Sequence, residues 1–168
     1  MTLQIKVDSI LKNQTDIIVI SAHPSLLAGS GISGIIHKAA GPELEKYAKP
    51  LAPLKAGEAV ITPAFNLNAK YIVHTICPRY MDGQRGEAEQ LASAYSSALA
   101  FYNEVPDAKS IAFVSMGTGV YKWPLALAAG IAIRELLKSR FEETFLCVMD
   151  ESTRDAYELA QNKAKKSD

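Results

Sequence analysis

Three glycines, Gly29, Gly31 and Gly34, follow the G-x-G-x-x-G spacing within the stretch SAHPSLLAGSGISGIIHKAAG, residues 21–41. Glycine has no Cβ, so a loop of this kind can turn sharply and bring its backbone N–H groups against an anion. The helix predicted to follow the loop adds a partial positive charge at its N-terminus. The spacing therefore indicates a phosphate-binding loop.

A second glycine-rich stretch, SMGTGVYKWP at residues 115–124, lies between an apolar run and a helix predicted to have Pro124 at its first position. Two such loops side by side could hold a diphosphate from both sides without Lys or Arg. This suits a chain in which 18 basic residues balance 18 acidic ones. The presence of the second loop also argues against a purely structural role for the first loop.

A nicotinamide cofactor is the obvious alternative ligand for the first loop. In a dinucleotide-binding unit the first glycine follows the strand almost directly, and an acidic residue lies about 20 positions beyond the loop. Here residues 23–28 separate ISA from Gly29, and the stretch 47–57 contains no Asp or Glu and does not read as a strand. We therefore expect no nicotinamide cofactor. No metal site is expected either, because no metal-ligand cluster stands out in the sequence.

The elements that would position these loops are apolar segments alternating with helical patterns. Several of the apolar runs are continuous, which indicates strands buried on both faces. The predicted strands cover residues 3–7, 16–22, 58–63, 70–76, 110–115 and 144–149, and the predicted helices cover 86–105, 124–140 and 151–166. This order predicts an α/β fold: a three-layer α/β/α sandwich with a mixed, mostly parallel central sheet, forming a single domain over residues 1–168. Ligands of such sheets collect at the carboxyl ends of the strands, where both glycine-rich loops fall.

The bulk composition is that of an ordinary soluble protein, with 48% hydrophobic and 21% charged residues. The balanced charge argues against general nucleic-acid binding. The N-terminus lacks the order of a signal peptide, and no apolar run approaches the roughly 20 residues of a membrane span, so we expect a cytoplasmic protein with no membrane partner. Cys77 and Cys147 are expected to be reduced, buried thiols, and DGQRGE at residues 82–87 to be an exposed turn.

Four blocks of this sequence, in order, resemble the macrodomain, an ADP-ribose-binding module. From Ile20 the chain reads ISAHPSLLAGSGISGIIHKAAG, which is similar to the family pattern N-A-A-N-S-x-L-x-G-G-G-G-V-D-G-A-I-H-x-A-A-G. Residues 57–80, the segment GTGVYKWP and the segment CVMDESTRDAYE resemble three further family blocks. The likeness is to bacterial O-acetyl-ADP-ribose deacetylase and ADP-ribosyl hydrolase macrodomains, and it covers nearly the whole chain.

The resemblance implies that the two loops hold the diphosphate, that Tyr121 packs over the ribose and phosphates, and that adenine lies near Ile10 and the segment after Met149. A family Asp that bonds the adenine amino group aligns with Ser9 or, one residue away, Asp8; we favour Asp8, because a carboxylate is the stronger acceptor. The full set of ligand-binding residues implied is Asp8, Ser9, Ile10, Ser21, Ala22, Gly29, Ser30, Gly31, Ile32, Gly34, Ser115, Gly117, Thr118, Gly119, Val120, Tyr121 and Met149.

The chain departs from the family where hydrolytic members carry their catalytic pair. His23 replaces the second Asn of N-A-A-N, and Ser33 replaces the Asp of G-V-D-G. A serine hydroxyl is too weak a general base. His23 could act as an acid or base at physiological pH, could hydrogen-bond the ribose without catalysis, or could have only a structural role at the strand end. His23 and Ser33 are thus the candidate catalytic residues.

The sequence therefore predicts a protein that binds ADP-ribose, an ADP-ribosylated macromolecule or O-acetyl-ADP-ribose. Whether it hydrolyses the ADP-ribosyl linkage, with His23 and an ordered water, or only reads or scavenges ADP-ribose stays open. No cofactor is implied. His37 and His74 are expected to be structural, Asp150 and Glu151 to cap the last helix, and Trp123 to pack under the second loop. Lys122, in the place of a family glycine, could meet a phosphate, close the cleft or remain solvated.

Overall fold

The structure, a computed structural model, describes residues 2–29, 31–117 and 121–166. Its strands are β1 (Thr2–Val7), β2 (Ile17–Ser21), β3 (Ala59–Pro63), β4 (Tyr71–Thr75), β5 (Ser110–Val114) and β6 (Glu143–Val148). Its helices are α1 (Gly31–Ala40), α2 (Pro42–Ala48), α3 (Glu87–Leu99), α4 (Leu125–Leu136) and α5 (Glu151–Lys166). Short 3-10 turns cover Lys49–Leu51 and Ala100–Asn103.

The strands form one sheet in the order β1-β6-β5-β2-β4-β3. Only the pairing of β3 with β4 is antiparallel among these neighbours, and the other four pairings are parallel. The mixed, mostly parallel sheet predicted from the sequence is therefore confirmed.

Helices cover both faces of the sheet, and the alternation of side chains along each strand decides which helices they meet. On β2, Ile17 and Val19 pack in the cluster that contains buried residues of α3, α4 and α5, whereas Ile18 and Ile20 pack in the cluster that contains those of α1 and α2. All four of these side chains are at most 3% exposed. The continuous apolar runs of the sequence are explained by burial on both faces, and the three-layer sandwich is confirmed.

Three local predictions differ from the structure. Pro124 is the residue before α4 and not its first position, because its ψ of 126° is extended. The helix predicted to extend to residue 105 is α-helical only to Leu99 and continues as a 3-10 turn. Helix α2 was not predicted, although Pro42 at its start and two glutamates in its first turn are typical helix-starting residues.

The sheet brings the two glycine-rich loops together. β2 and β5 are parallel neighbours, with Ile17 beside Ile111 and Val19 beside Phe113. Their carboxyl ends therefore meet at one edge of the sheet, where β2 leads into the first loop and β5 leads into the second. β1 and β6 are likewise parallel, so the segment after Val7 lies beside the segment after Val148. A crevice along this edge is the place where sheets of this class bind ligands.

Candidate functional site

The first loop, described for residues 22–29, leaves β2 through a hydrogen-bonded turn. The N–H of Ala22 donates to the carbonyl of Thr75 at 2.9 Å, so the chain continues beside β4 for one more residue. The N–H of Leu26 then donates to the carbonyl of His23 at 2.8 Å, and Leu26 is buried despite a left-handed φ of +59°. Buried packing thus holds a conformation that is uncommon for leucine.

The glycine spacing in this loop has a different reason at each position. Gly31 starts α1 with a φ of +71°. Gly34 lies against the carbonyl oxygen of Gly29, so a Cβ at residue 34 would collide with the backbone. A Cβ at Gly29 would instead meet nothing within 4 Å, and Gly29 is exposed. The loop therefore contacts the first turn of α1 through the Gly29 carbonyl. Gly29 also has an open face, the side on which a Cβ would stand.

The second loop is fixed by a tryptophan. Gly117 has a φ of +88°, and its carbonyl accepts the N–H of Trp123 at 2.9 Å. The indole packs on Gly117, is 5% exposed and donates its Nε1–H to the carbonyl of Pro78 at 2.9 Å. The predicted packing role of Trp123 is confirmed. Ser30, Thr118, Gly119 and Val120, which were predicted to bind ligand, lie outside the described residues.

Tyr121 is half-buried at the end of this loop. Its carbonyl accepts the N–H of Tyr80 at 3.1 Å, which joins the second loop to the segment after β4. The guanidinium of Arg79 lies 5.8 Å from the centre of the Tyr121 ring, within the range of a cation–π contact. Lys122 is exposed and has a left-handed φ of +58°, a conformation that costs a residue other than glycine.

Two buried tyrosines lie beneath the second loop. The Tyr95 hydroxyl accepts the N–H of Met116 at 3.2 Å, and the Tyr157 hydroxyl is 2.7 Å from the Ser115 hydroxyl. Both rings are 0% exposed, and burial raises the pKa of both phenols. The role of Tyr95 was not predicted, because a hydroxyl that holds a loop has no signal in sequence that separates it from a core tyrosine.

The candidate catalytic residues have unlike surroundings. His23 is exposed, and its Nδ1 lies 2.8 Å from the Ser25 hydroxyl and accepts the Ser25 N–H at 3.1 Å. Ser33 is 6% exposed, and its hydroxyl has no hydrogen-bond partner among the described residues. No hydrogen bond joins His23 to Ser33 in the described part of the chain. The arrangement supplies one exposed imidazole and one buried hydroxyl.

The residues predicted to meet adenine lie where β1 and β6 end, at the same edge of the sheet. The N–H of Asp8 donates to the carbonyl of Val148 at 3.1 Å, so Asp8 and Met149 leave the sheet side by side. Asp8 and Met149 are exposed, whereas Ile10 is 3% exposed. The Ser9 hydroxyl accepts the N–H of Leu11 at 3.3 Å, and Oδ1 of Asp8 accepts the N–H of Ser9 at 2.8 Å. Asp8 has a second carboxylate oxygen and is the stronger acceptor of the two candidates.

Helix α5 begins shortly after β6, at this edge of the sheet. The Asp150 carboxylate accepts the N–H of Thr153 at 2.8 Å and the hydroxyl of Ser152 at 2.9 Å. The bond from the Thr153 N–H is the main cause that lowers the pKa of Asp150. The predicted cap is confirmed for Asp150, while Glu151 is the first residue of the helix.

The segment predicted as an exposed turn at 82–87 is exposed only up to Gly86. Glu87 is 3% exposed, and its carboxylate accepts the N–H groups of Met81, Asp82, Gly83 and Arg85 at 2.7 to 3.1 Å. These bonds, that of Met81 first, lower the pKa of Glu87 to about 2. The prediction for Glu87 was wrong because the backbone curls around the carboxylate and supplies the donors that make burial favourable.

His37 and His74 are buried, and their ring centres lie 6.3 Å apart. The Nε2 of His74 is 3.0 Å from the Thr62 hydroxyl, and burial lowers the pKa of His74 to about 4. Burial also lowers the pKa of His37. The two rings pack in the layer between the sheet and α1, which agrees with the structural role predicted for both.

The two cysteine thiols are free and buried, as predicted. Burial raises the pKa of Cys77 to about 12 and that of Cys147 to about 11, so both stay protonated and unreactive near neutral pH. Within residues 2–29, 31–117 and 121–166, no three His, Cys, Asp or Glu side chains are grouped so that they could hold a metal ion. The same part of the chain has no helix with the length and apolar character that crossing a membrane requires.

An α/β sandwich with two glycine-rich loops at adjacent carboxyl ends of its strands belongs to the class that binds ligands at this edge of the sheet. A family model described as Macro domain matches residues 19–132. The chain belongs to the macrodomain family.

Several relatives and solved structures are similar to the chain. A macro domain-containing protein of Ralstonia nicotianae is 40% identical over 152 residues, 89% of this chain and 88% of the relative. A structure of the Oceanobacillus iheyensis macrodomain with MES bound superposes with a TM-score of 0.91 at 32% identity, covering 99% of this chain and 93% of that one. The Trypanosoma brucei macrodomain in complex with ADP-ribose superposes with a TM-score of 0.82 at 28% identity, covering 94% of this chain and 68% of that one.

Proposed function

We propose that this chain binds ADP-ribose, free or attached to a macromolecule, in the cleft between residues 23–34 and 115–123. The observation that carries the proposal is the pairing of β2 with β5, which sets the two glycine-rich loops side by side. The family membership supports it, since the Trypanosoma brucei relative is in complex with ADP-ribose and a variant of the Oceanobacillus iheyensis macrodomain has ADPR.

In this arrangement the diphosphate lies against the open face of Gly29 and the N-terminus of α1, where backbone N–H groups and the helix dipole favour negative charge. The adenine lies at the far end, with its amino group on Asp8 and its ring between Ile10 and Met149. The distal ribose lies toward His23 and Ser33. This orientation follows the resemblance of these residues to the family's binding positions.

Binding without hydrolysis is the function that the site chemistry supports best, as in a reader or scavenger of ADP-ribose. A general base must present an unprotonated atom to a water molecule near the bond that breaks. The Nδ1 lone pair of His23 is already used by Ser25. The Ser33 hydroxyl is too weak a base to replace a carboxylate. The chain therefore retains groups that can bind the distal ribose but lacks a strong general base to activate water.

Hydrolysis of an ADP-ribosyl linkage is the second candidate, and one observation favours it. The buried Ser33 hydroxyl has no partner among the described residues. A buried hydroxyl in this state is commonly satisfied by an ordered water, which is the nucleophile that such a reaction requires. In this case His23 would orient that water as a hydrogen-bond donor through Nε2, because Nδ1 accepts from Ser25.

Calorimetric titration of the purified protein with ADP-ribose tests the binding proposal. The charge-reversing variant is Gly29→Glu, with Gly29→Ala as its matched control, because a Cβ at this position meets open space. We expect Gly29→Ala to bind nearly as well as the wild type and Gly29→Glu to bind about tenfold more weakly or worse, since like charges would face each other. No heat with millimolar ADP-ribose, or equal affinity of all three proteins, would contradict the proposal.

Hydrolysis is tested by incubating the protein with a mono-ADP-ribosylated protein and with O-acetyl-ADP-ribose. We expect this protein to bind ADP-ribose but to turn over neither substrate. Turnover would establish the second candidate instead. Turnover that persists in His23→Ala would then remove His23 as the acid or base and direct attention to Ser33.

A further inference from the structure

The imidazole of His23 is held by a residue two positions further along the same loop. Its Nδ1 accepts the backbone N–H of Ser25 at 3.1 Å and lies 2.8 Å from the Ser25 hydroxyl oxygen. That oxygen in turn accepts the N–H of Leu27 at 3.3 Å. Since a backbone N–H can only donate, Nδ1 must present its lone pair to Ser25.

This pattern selects one form of the neutral ring. A neutral imidazole has a single N–H, so an accepting Nδ1 places the hydrogen on Nε2. The Ser25 hydroxyl can direct its own hydrogen at Nδ1 as well, because its oxygen lone pair receives the Leu27 N–H. A hydrogen on Nδ1 would point at the Ser25 N–H, and the two donors would repel each other.

We propose that Ser25 is a positioning residue that holds His23 in the Nε2–H tautomer, so that the ring offers the distal ribose of ADP-ribose a hydrogen-bond donor. This inference rests on the proposed function for its ligand. It deepens that function, because a ring that donates through Nε2 recognises a hydroxyl oxygen. The tautomer thus makes His23 a determinant of specificity for ligands that carry a second ribose.

The turn that presents the ring is anchored at several points. The carbonyl of His23 accepts the N–H of Leu26, and the carbonyl of Pro24 accepts the N–H of Leu54 at 3.0 Å. Leu26 is 1% exposed. With the backbone held in this way and His23 itself exposed, Nδ1 stays turned toward its own loop. Nε2 is consequently the nitrogen that a ligand can reach.

The tautomer is measurable by nitrogen NMR of labelled protein at a pH at which imidazole is neutral. The chain has three histidines, so the difference spectrum of His23→Asn identifies the His23 signals. We expect a protonated Nε2 and an unprotonated Nδ1 in the wild type. A protonated Nδ1, or the averaged signals of an equal mixture, would overturn the proposal.

Two substitutions separate the hydroxyl from the rest of Ser25. Ser25→Ala removes the hydroxyl but keeps the backbone N–H, so we expect a measurable population of the other tautomer. Ser25→Thr keeps the hydroxyl and is expected to retain the wild-type spectrum. Ser96→Ala is the control, because Ser96 is an exposed helix residue whose hydroxyl bonds only the carbonyl of Ser93 in the described structure. Unchanged tautomer populations in Ser25→Ala would contradict the role given to the hydroxyl.

The donor's target is tested by titrating the same proteins with ADP-ribose and with ADP, which lacks the distal ribose. We expect Ser25→Ala to weaken ADP-ribose binding by the factor by which it depopulates the Nε2–H tautomer in the NMR spectra, and to leave ADP binding unchanged. Ser25→Thr is expected to restore the affinity for ADP-ribose.

Equal weakening for both ligands would mean that Ser25 only shapes the loop, and no weakening for either would remove its role in specificity. Both outcomes overturn the inference. If the wild type binds neither nucleotide, the proposed function itself fails, and the NMR spectra still decide whether Ser25 sets the tautomer of His23.

Discussion

The indole of Trp123 occupies the space that a side chain on Gly117 would need: a Cβ at Gly117 would lie 2.5 Å from Cδ1 of the ring. The two residues are also joined by the bond from the Trp123 N–H to the Gly117 carbonyl. The contact between Gly117 and Trp123 therefore joins the two ends of the second glycine-rich loop, and the shape of the loop depends on this contact.

We expect Gly117→Ala to lower the free energy of unfolding by about 1–3 kcal/mol, because it introduces both a left-handed alanine and an overpacked contact. ADP-ribose binding should weaken as the loop moves away from Trp123. Thermal unfolding and calorimetry measure the two effects. Gly130→Ala is the control, since its Cβ meets nothing within 4 Å and it lies within α4, where alanine is the better helix former. A Gly117→Ala protein as stable as Gly130→Ala would contradict the expected clash.

Tyr95→Phe removes the acceptor of the buried Met116 N–H and leaves the ring in place. An unsatisfied buried donor costs about 1–3 kcal/mol, and we expect a loss of stability in that range. ADP-ribose binding is expected to weaken as well, because Met116 belongs to the second loop. The control is Tyr102→Phe, because the Tyr102 ring packs edge-on against Phe141, away from Met116. Equal stability and affinity in the two variants would show that the Tyr95 hydroxyl does not hold the loop.

Glu87 makes the free energy of unfolding depend on pH in the acidic range. The pKa of Glu87 is about 2 in the folded protein, whereas an unperturbed glutamate has a pKa near 4.5. The folded state therefore favours the carboxylate. Its stabilising contribution is complete above about pH 4.5 and is lost as the pH falls toward 2.

Glu87→Gln should therefore lower the melting temperature at pH 7, where the amide cannot accept all the surrounding N–H bonds. The difference from the wild type should shrink as the pH falls from about 4.5 to about 2. Melting curves at several pH values measure it, with the exposed Glu89→Gln as control. A difference that is constant with pH would mean that the charge of Glu87 is not what stabilises the turn.

Lys122 has a left-handed φ of +58°, which glycine adopts without strain. We expect Lys122→Gly to raise the free energy of unfolding by up to about 1 kcal/mol, as relief of the strain exceeds the added freedom of the unfolded chain. Lys122→Ala removes the charge but retains the strained backbone, so it separates the two properties. Affinity for ADP-ribose that falls equally in both variants would assign the Lys122 ammonium to the phosphates. A Lys122→Gly protein less stable than Lys122→Ala would contradict the strain.

Much of the fold could be predicted because its physical causes are local. The apolar runs that became β2 and β5 are continuous over enough residues to require burial on both faces, and they alternate with helical patterns. The glycines of the first loop could be placed after β2 because they follow its apolar run in the sequence. The cap at Asp150 was also readable, because an acidic residue before a helix bonds N–H groups only three residues away.

Other features depended on parts of the chain that are far apart in sequence. Glu87 was predicted as one end of an exposed polar turn, since no pattern shows that four N–H groups from residues 81–85 will surround its carboxylate. The hydroxyl of Tyr95 meets Met116 across 21 positions. Sequence spacing carries no information about such contacts, because the packing of α3 beneath the second loop creates them.

The sequence by itself determined the class of fold and the two glycine-rich loops, because hydrophobic periodicity and glycine positions act through neighbouring residues. The resemblance of four sequence blocks to the macrodomain pattern indicated the family. The same resemblance implied that His23 and Ser33 stand where hydrolytic members of the family have an amide and a carboxylate. Only the tertiary structure decided what those substitutions present to a ligand. The tautomer of His23 depends on the direction of the Ser25 N–H, and the isolation of the Ser33 hydroxyl depends on how α1 packs on the sheet; both are matters of geometry that residue types do not encode.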